Sequence, residues 1–350
     1  MHHLLSKKVT SIEPSATLAV AAKAAALKAK GENILALNLG EPDFDTPTPI
    51  KAAAVAALNA GKTKYTLVEG TVELRKAIIE KFKRENDLAY ELNQIIVSNG
   101  AKHSIYNALI ALVNSGDEVI IPAPYWVSYP DMVKLAGGVP VIIPTTIDNH
   151  FKITPDQLEQ AITPKTKLVF FNSPSNPSGK IYSEQEYQAL GKILLKYPNV
   201  LILTDDIYEH ILWGENVFSN IVMAVPALKH RTIVINGLSK VYAMTGWRMG
   251  YAACDPVIAE AMITLQSQST SCPCSISQAA SVTALSSEMT QFIKPMVTAF
   301  HQRHDFLYNE MSRISGLNIV PSEGTFYTLP DVSEIIERMG LQDDVVFAEN

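Results

Sequence analysis

Residues 236–250 read NGLSKVYAMTGWRMG, and the β-branched run Thr232-Ile233-Val234-Ile235 leads into them. That run has the composition of a buried strand, and Asn236-Gly237 ends it. Lys240 therefore stands just past the carboxyl end of a strand, where open α/β sheets take their ligands. An amine partly withdrawn from water gives up its charge more readily and can form a Schiff base with an aldehyde. Arg248, behind Gly246-Trp247, adds a forked and permanently charged donor suited to phosphate. An aldehyde and a phosphate on one molecule describe pyridoxal phosphate. Taken alone, one lysine after one strand reads as a solvated loop charge, so the assignment depends on the rest of the chain.

The 350 residues are enough for one large or two ordinary domains. Hydrophobic residues make up 47% and charged residues 18%, the balance of a globular protein. A formal net charge of -6 argues against a nucleic-acid footprint. Three cysteines, two of them in Cys272-Pro273-Cys274, make neither a disulfide framework nor a metal site. They point to a reduced, cytoplasmic setting. The N-terminal MHHLLSKKVTSIEP lacks the apolar core of a signal peptide, and no apolar run is long enough to span a bilayer.

From Gln94 onward, short β-rich runs alternate with helical patterns, as in a doubly wound sheet. Strands are expected over Ile95–Val97, Glu118–Ile121, Lys167–Phe171, Leu201–Thr204 and, antiparallel, Trp247–Cys254. Each delivers polar residues at its end. Ser98-Asn99-Gly100-Ala101 opens a helix, whose free N–H groups bind phosphate well. Lys102 reads as a solvated first-turn residue. Trp126 is placed for offset stacking on a flat ring or for the core. Asp205 and Asp206, at one strand end, are equivalent candidates for keeping a ring nitrogen protonated. Before this region, Ser15 and Thr17 read as N-caps of an Ala-rich helix, Leu18 to Lys30, closed by Gly31. Leu35 to Leu39 reads as a short strand ending at Gly40, and Pro47 and Pro49 start a second helix ending near Gly61. Gln266 to Ser271 reads as a polar turn, and a long amphipathic helix is expected from Gln291 to Ile314.

Six motifs, NLGEPDFDTP, GKTKYT, PYWVSYP, NSPSNPSG, DDIYEH and SKVYAMTGWR, occur in this order. Together they resemble the class I aminotransferases of the fold-type I pyridoxal phosphate enzymes, and within them the bacterial aspartate aminotransferases of the Ib subgroup. The resemblance runs from about Ser11 to the last residue. It implies an α/β fold: a mainly parallel seven-stranded sheet sandwiched by helices, plus a smaller α+β domain built from both chain ends. The expected domains are an N-terminal arm with part of the small domain over 1–45, a large cofactor domain over 46–295, and a linking helix with an incomplete small domain over 296–350. Ser322 to Tyr327 resembles a small-domain strand near the active site.

The resemblance also implies roles. Lys240 would bind pyridoxal 5'-phosphate covalently, with Gly100, Ala101 and Arg248 at its phosphate and Trp126 stacked on its ring. Asp205, rather than Asp206, would pair with the ring nitrogen, and Asn176 and Tyr208 with the phenolic oxygen. Tyr65 would cross to the other subunit's phosphate, making a homodimer with shared sites. Substrate would meet Gly40, Trp126 and Asn176, with Ser15, Thr17 and Lys102 on its side-chain end. The implied reaction moves an amino group between L-aspartate and 2-oxoglutarate with ping-pong kinetics. The alternative is an aromatic or other amino-acid aminotransferase on the same scaffold. Three departures stand out. No counterpart of the family's C-terminal carboxylate-clamping arginine precedes Asn350, which leaves a fragment or a non-catalytic truncated remnant as a further reading. Glu13 replaces a lysine linked to prephenate use, which argues against prephenate. Gly237 replaces a phosphate-binding serine of other subgroups, which passes that contact to backbone or Arg248.

Overall fold

The computed structural model describes residues 4–12, 16–35, 37 and 40–349. Its strands are β1 Ile95–Asn99, β2 Glu118–Pro122, β3 Val139–Ile143, β4 Thr166–Asn172, β5 Leu201–Asp205, β6 Thr232–Gly237, β7 Met249–Ala253, β8 Asn318–Ile319 and β9 Pro330–Asp331. The first seven form one sheet in the order β1-β7-β6-β5-β4-β2-β3. Neighbours from β6 through β3 are parallel, and β7 is antiparallel to both β6 and β1.

Alternation along each strand divides the core between two faces. Val97, Ile120, Val169, Ile202 and Val234 point to one face, against the helices Thr48–Asn59, Val72–Asn86, Glu184–Leu194 and Ser275–Ala284. Ile96, Ile121, Leu168, Leu203 and Ile235 point to the other, against Ala101–Leu112, Ser128–Ala136 and Pro256–Ser269. A third apolar cluster stands beyond the carboxyl edge of the sheet. There Tyr208, Ile211 and Trp213 meet Met296 and Phe300 of the long helix Thr290–Met311.

Three expectations fail. Leu35 and Leu37 are not in a strand and stand 83% and 76% exposed. Residues 36, 38 and 39 of that run lie outside the described residues. Gln266 to Ser269 is the last turn of the Pro256–Ser269 helix rather than a polar turn. Gln266 is fully buried there and donates to the carbonyls of Val68 and Val97 at 2.7 and 2.9 Å. Ser322 to Tyr327 is not a strand either: it has an isolated bridge between Gly324 and Leu212, and is otherwise held by loop hydrogen bonds, with Glu323 and Gly324 amides donating to the Gly179 carbonyl and the Thr325 amide to that of Ile211.

Candidate active site

Parallel strands end on one edge, so β4, β5 and β6 deliver their last residues side by side. Asn172 lies opposite Asp205 in register, and Asp205 opposite Ile235. Asn172 Nδ2 donates to the Asp205 carbonyl at 2.7 Å, and its Oδ1 accepts the Asn176 amide at 2.7 Å. The loop carrying Asn176 is thereby pinned to the strand that carries Asp205.

Asp205 is 4% exposed. Tyr129 Oη donates to its Oδ2 at 2.7 Å, while among the described residues its Oδ1 has only a 3.4 Å contact from the Ile207 amide. Burial pushes this carboxyl up to about 6, with the Tyr129 bond and the Lys240 charge pulling the other way. Asp206 is turned into the interior, where Thr204 and Asn220 donate to it at 2.6 and 2.7 Å. The Tyr208 hydroxyl is 2.7 Å from that of Tyr327.

Lys240 Nζ donates to the Gly40 carbonyl at 2.5 Å. Burial draws its amine down to about 8, with Glu41 and Asp205 opposing the shift and Arg248 adding to it. An amine in that range is free of its proton in about a tenth of molecules at pH 7, far more than an ordinary lysine. Eight residues on, Arg248 has φ 55°, a left-handed conformation that costs a non-glycine residue on the order of 1 kcal/mol. Its Nη1 donates to the Thr245 carbonyl at 2.9 Å and its Nη2 to that of Asn99 at 3.3 Å.

The helix start at Ala101 is packed hard against this arginine and against β7. A Cβ on Gly100, whose φ is 90°, would lie 2.5 Å from Arg248 Nη2, and a Cβ on Gly250 would lie 2.1 Å from the Ala101 nitrogen. First-turn amides of a helix have no acceptor within it, so Ala101, Lys102 and Arg248 form one donor cluster. Lys102 Nζ sits 4.5 Å from the centre of the Trp126 ring. Desolvation and the nearby Arg248 charge both lower the Lys102 amine.

One cavity of about 750 Å³ gathers Gly40, Ala101, Lys102, Trp126, Asn176, Asp205, Tyr208, Lys240 and Arg248. Gly100 sits behind it, under the arginine. Tyr65 does not reach it and is 89% exposed. Ser15, Glu13 and the side chain of Thr17 lie outside the described residues. Tyr129, Tyr327, Asn172 and Glu41 also line or brace the cavity and were not singled out from the sequence. Tyr129 lies within the same PYWVSYP motif as Trp126, three residues on, and Tyr327 within the segment flagged at 322–327. The donor set suits pyridoxal phosphate: a neutralisable amine, an under-bonded buried carboxyl oxygen, and a cationic helix start.

The family model for aminotransferase class I and II matches residues 32–347, and the chain belongs to that family. It is 55% identical over 338 residues to an aspartate/prephenate aminotransferase of Nitrosomonas europaea, covering 97% of this chain and 85% of that protein. The crystal structure of the aspartate aminotransferase from Rhizobium meliloti superposes with a TM-score of 0.92 at 48% identity, over 95% of this chain and 82% of that one. Aspartate aminotransferase from Thermus thermophilus with maleate gives 0.90 at 41% identity, over 95% and 86%. Among the described residues, no helix is long and apolar enough to cross a membrane.

Proposed function

We propose that this aminotransferase uses pyridoxal 5'-phosphate to exchange an amino group between L-aspartate and 2-oxoglutarate. The observation that carries the reading is the Lys240 amine, drawn down to about 8 in a cavity whose floor holds Asp205. When bound, the cofactor supplies an aldehyde for an amine and a ring that accepts electrons from the substrate carbon. Lys240 Nζ is the group that takes the proton from the substrate Cα and returns one during the reverse half-reaction. Asp205 Oδ1 would hold a proton on the ring nitrogen. Ala101, Lys102 and Arg248 fix the phosphate or the distal carboxylate of a dicarboxylic substrate. Trp126 would orient the ring, and Tyr208 and Asn176 would bind the phenolic oxygen.

The proposal includes a homodimer in which Tyr65 serves the other subunit; its near-complete exposure leaves it free for that contact. It includes the cytoplasm, in keeping with three free cysteines, and a domain division at about residues 45 and 295. A second reading, amino transfer to prephenate, draws on the name of the Nitrosomonas relative. The test is the visible spectrum of the loaded protein before and after aspartate. A band that disappears on adding aspartate and returns with 2-oxoglutarate supports the first reading. A band restored by prephenate, and not by 2-oxoglutarate, supports the second. A band indifferent to aspartate refutes the substrate assignment.

A further inference from the structure

Behind the cavity lies a polar cluster that none of the steps above uses. Lys81, Asn86, Glu209 and Asn236 are 2%, 4%, 5% and 3% exposed. Lys81 Nζ donates to Glu209 Oε1 and, at 2.8 Å, to Asn86 Oδ1. Asn86 Nδ2 donates to Glu209 Oε2 at 2.9 Å, and Asn236 Nδ2 to Glu209 Oε1 at 2.7 Å. Glu85, Glu209 and His210 bring ligand atoms within 4.8 Å of one another, the spacing of a cation site. Here the cation is the Lys81 ammonium.

A buried ion pair is a poor device for stability, since apolar residues of the same volume do as well or better. What apolar residues cannot do is accept a hydrogen bond from a chosen neighbour. Glu209 follows Tyr208 directly, and its amide donates to the Asp206 carbonyl at 3.0 Å. Asn236 lies at the end of β6, and its Oδ1 accepts the Gly237 amide at 2.7 Å, three residues before Lys240. We infer that Glu209, neutralised by Lys81, is a positioning residue that ties the end of β5 to the end of β6. The tie fixes Asp205 and Tyr208 relative to Lys240. This rests on the cofactor reading above.

The test compares three variants with the wild type by pH titration of the visible band given by added pyridoxal phosphate, by cofactor Kd and by kcat. Asn236→Ala cuts the tie but leaves the Lys81–Glu209 pair whole, so the fold keeps its charge balance. It is expected to move the midpoint of the band's titration by at least half a pH unit and to weaken cofactor binding about tenfold. Glu209→Ala should do the same or worse. The double variant Lys81→Met/Glu209→Gln keeps an acceptor for Asn236 without the charges, and should recover most of what Glu209→Ala loses. An Asn236→Ala protein with wild-type titration and Kd overturns the inference, whatever its melting temperature. So does a double variant no better than Glu209→Ala. No band in the wild type refutes the cofactor reading itself, and the inference with it.

Discussion

Tyr129→Phe removes one hydroxyl from the floor of the cavity and leaves its ring stacked on Phe170 at 4.7 Å. That hydroxyl donates to Asp205 Oδ2 at 2.7 Å, with both groups buried. A hydrogen bond to a charged group contributes about 1.5–3 kcal/mol. At roughly 1.4 kcal/mol per pH unit, its loss corresponds to about one to two units. The bond favours the carboxylate, so removing it raises the pKa of Asp205 further above its present value of about 6. Only the ionised carboxylate balances a protonated ring nitrogen, so cofactor affinity falls as pH drops through that value. The assay is the Kd of pyridoxal phosphate between pH 5.5 and 9, followed by quenching of tryptophan fluorescence. The acid limb is expected to move up by about one unit or more, with Kd changing by less than about threefold at the alkaline end. An acid limb that stays where it was, or an equal weakening at every pH, would falsify the claim that Tyr129 acts through the charge of Asp205.

Gly250→Ala puts a methyl 2.1 Å from a backbone nitrogen that cannot retreat. It should cost at least about 2 kcal/mol in urea unfolding and weaken inorganic phosphate as a competitor for the cofactor site; a variant of native stability refutes the close packing. Asp206 is held up at about 8 by burial, against an ordinary value of 3.8, so the folded chain binds a proton that the unfolded chain lacks. Its contribution grows as pH falls below 8; the lowered Lys240 amine takes back roughly a few tenths of a kcal/mol just below 8, and lowered histidines such as His103 oppose it below about 6.5. Between pH 8 and 6.5 the cofactor-free protein should therefore gain up to about 2 kcal/mol, read as a rising melting temperature, and Asp206→Asn should flatten that rise. Lys240→Ala and Tyr65→Ala proteins should each be impaired. If the sites are shared, mixing the two unfolded variants and refolding them together should restore hybrid dimers with one intact site; activity no greater than the sum of the separate samples argues against sharing.

The sheet was legible because its strands are short β-rich runs, each ending in a polar motif, and those motifs carried the cavity with them. Lys240, Asp205 and Asn176 were readable as neighbours because each lies at or just past the end of a strand, and parallel strands end on one edge. What stayed hidden depends on which strand lies beside which. Tyr129 is 76 residues from Asp205, and nothing local announces that its hydroxyl reaches across two strands. Gln266 is harder still. A polar run at a helix end has the composition of a turn, and only the carbonyls of Val68 and Val97, brought in from elsewhere, give its amide a reason to be buried. Leu35 and Leu37 show the opposite case, strand-forming residues that stand exposed outside any strand.

The antiparallel course of β7 has a consequence for how this site can vary over descent. The chain leaves the sheet at Gly237 and re-enters it from the same side, so that Gly237 and Gly250 face one another. The amine and the guanidinium therefore hang from a single lobe with a hydrogen-bonded neck. An inserted or deleted residue in that lobe displaces both at once, and a transplanted lobe carries both with their separation preserved. Asn176 and Asp205 grow from separate stems, joined to each other through the Asn172 side chain. The two groups proposed to grip opposite ends of the ligand form one heritable unit, and selection on either constrains the other.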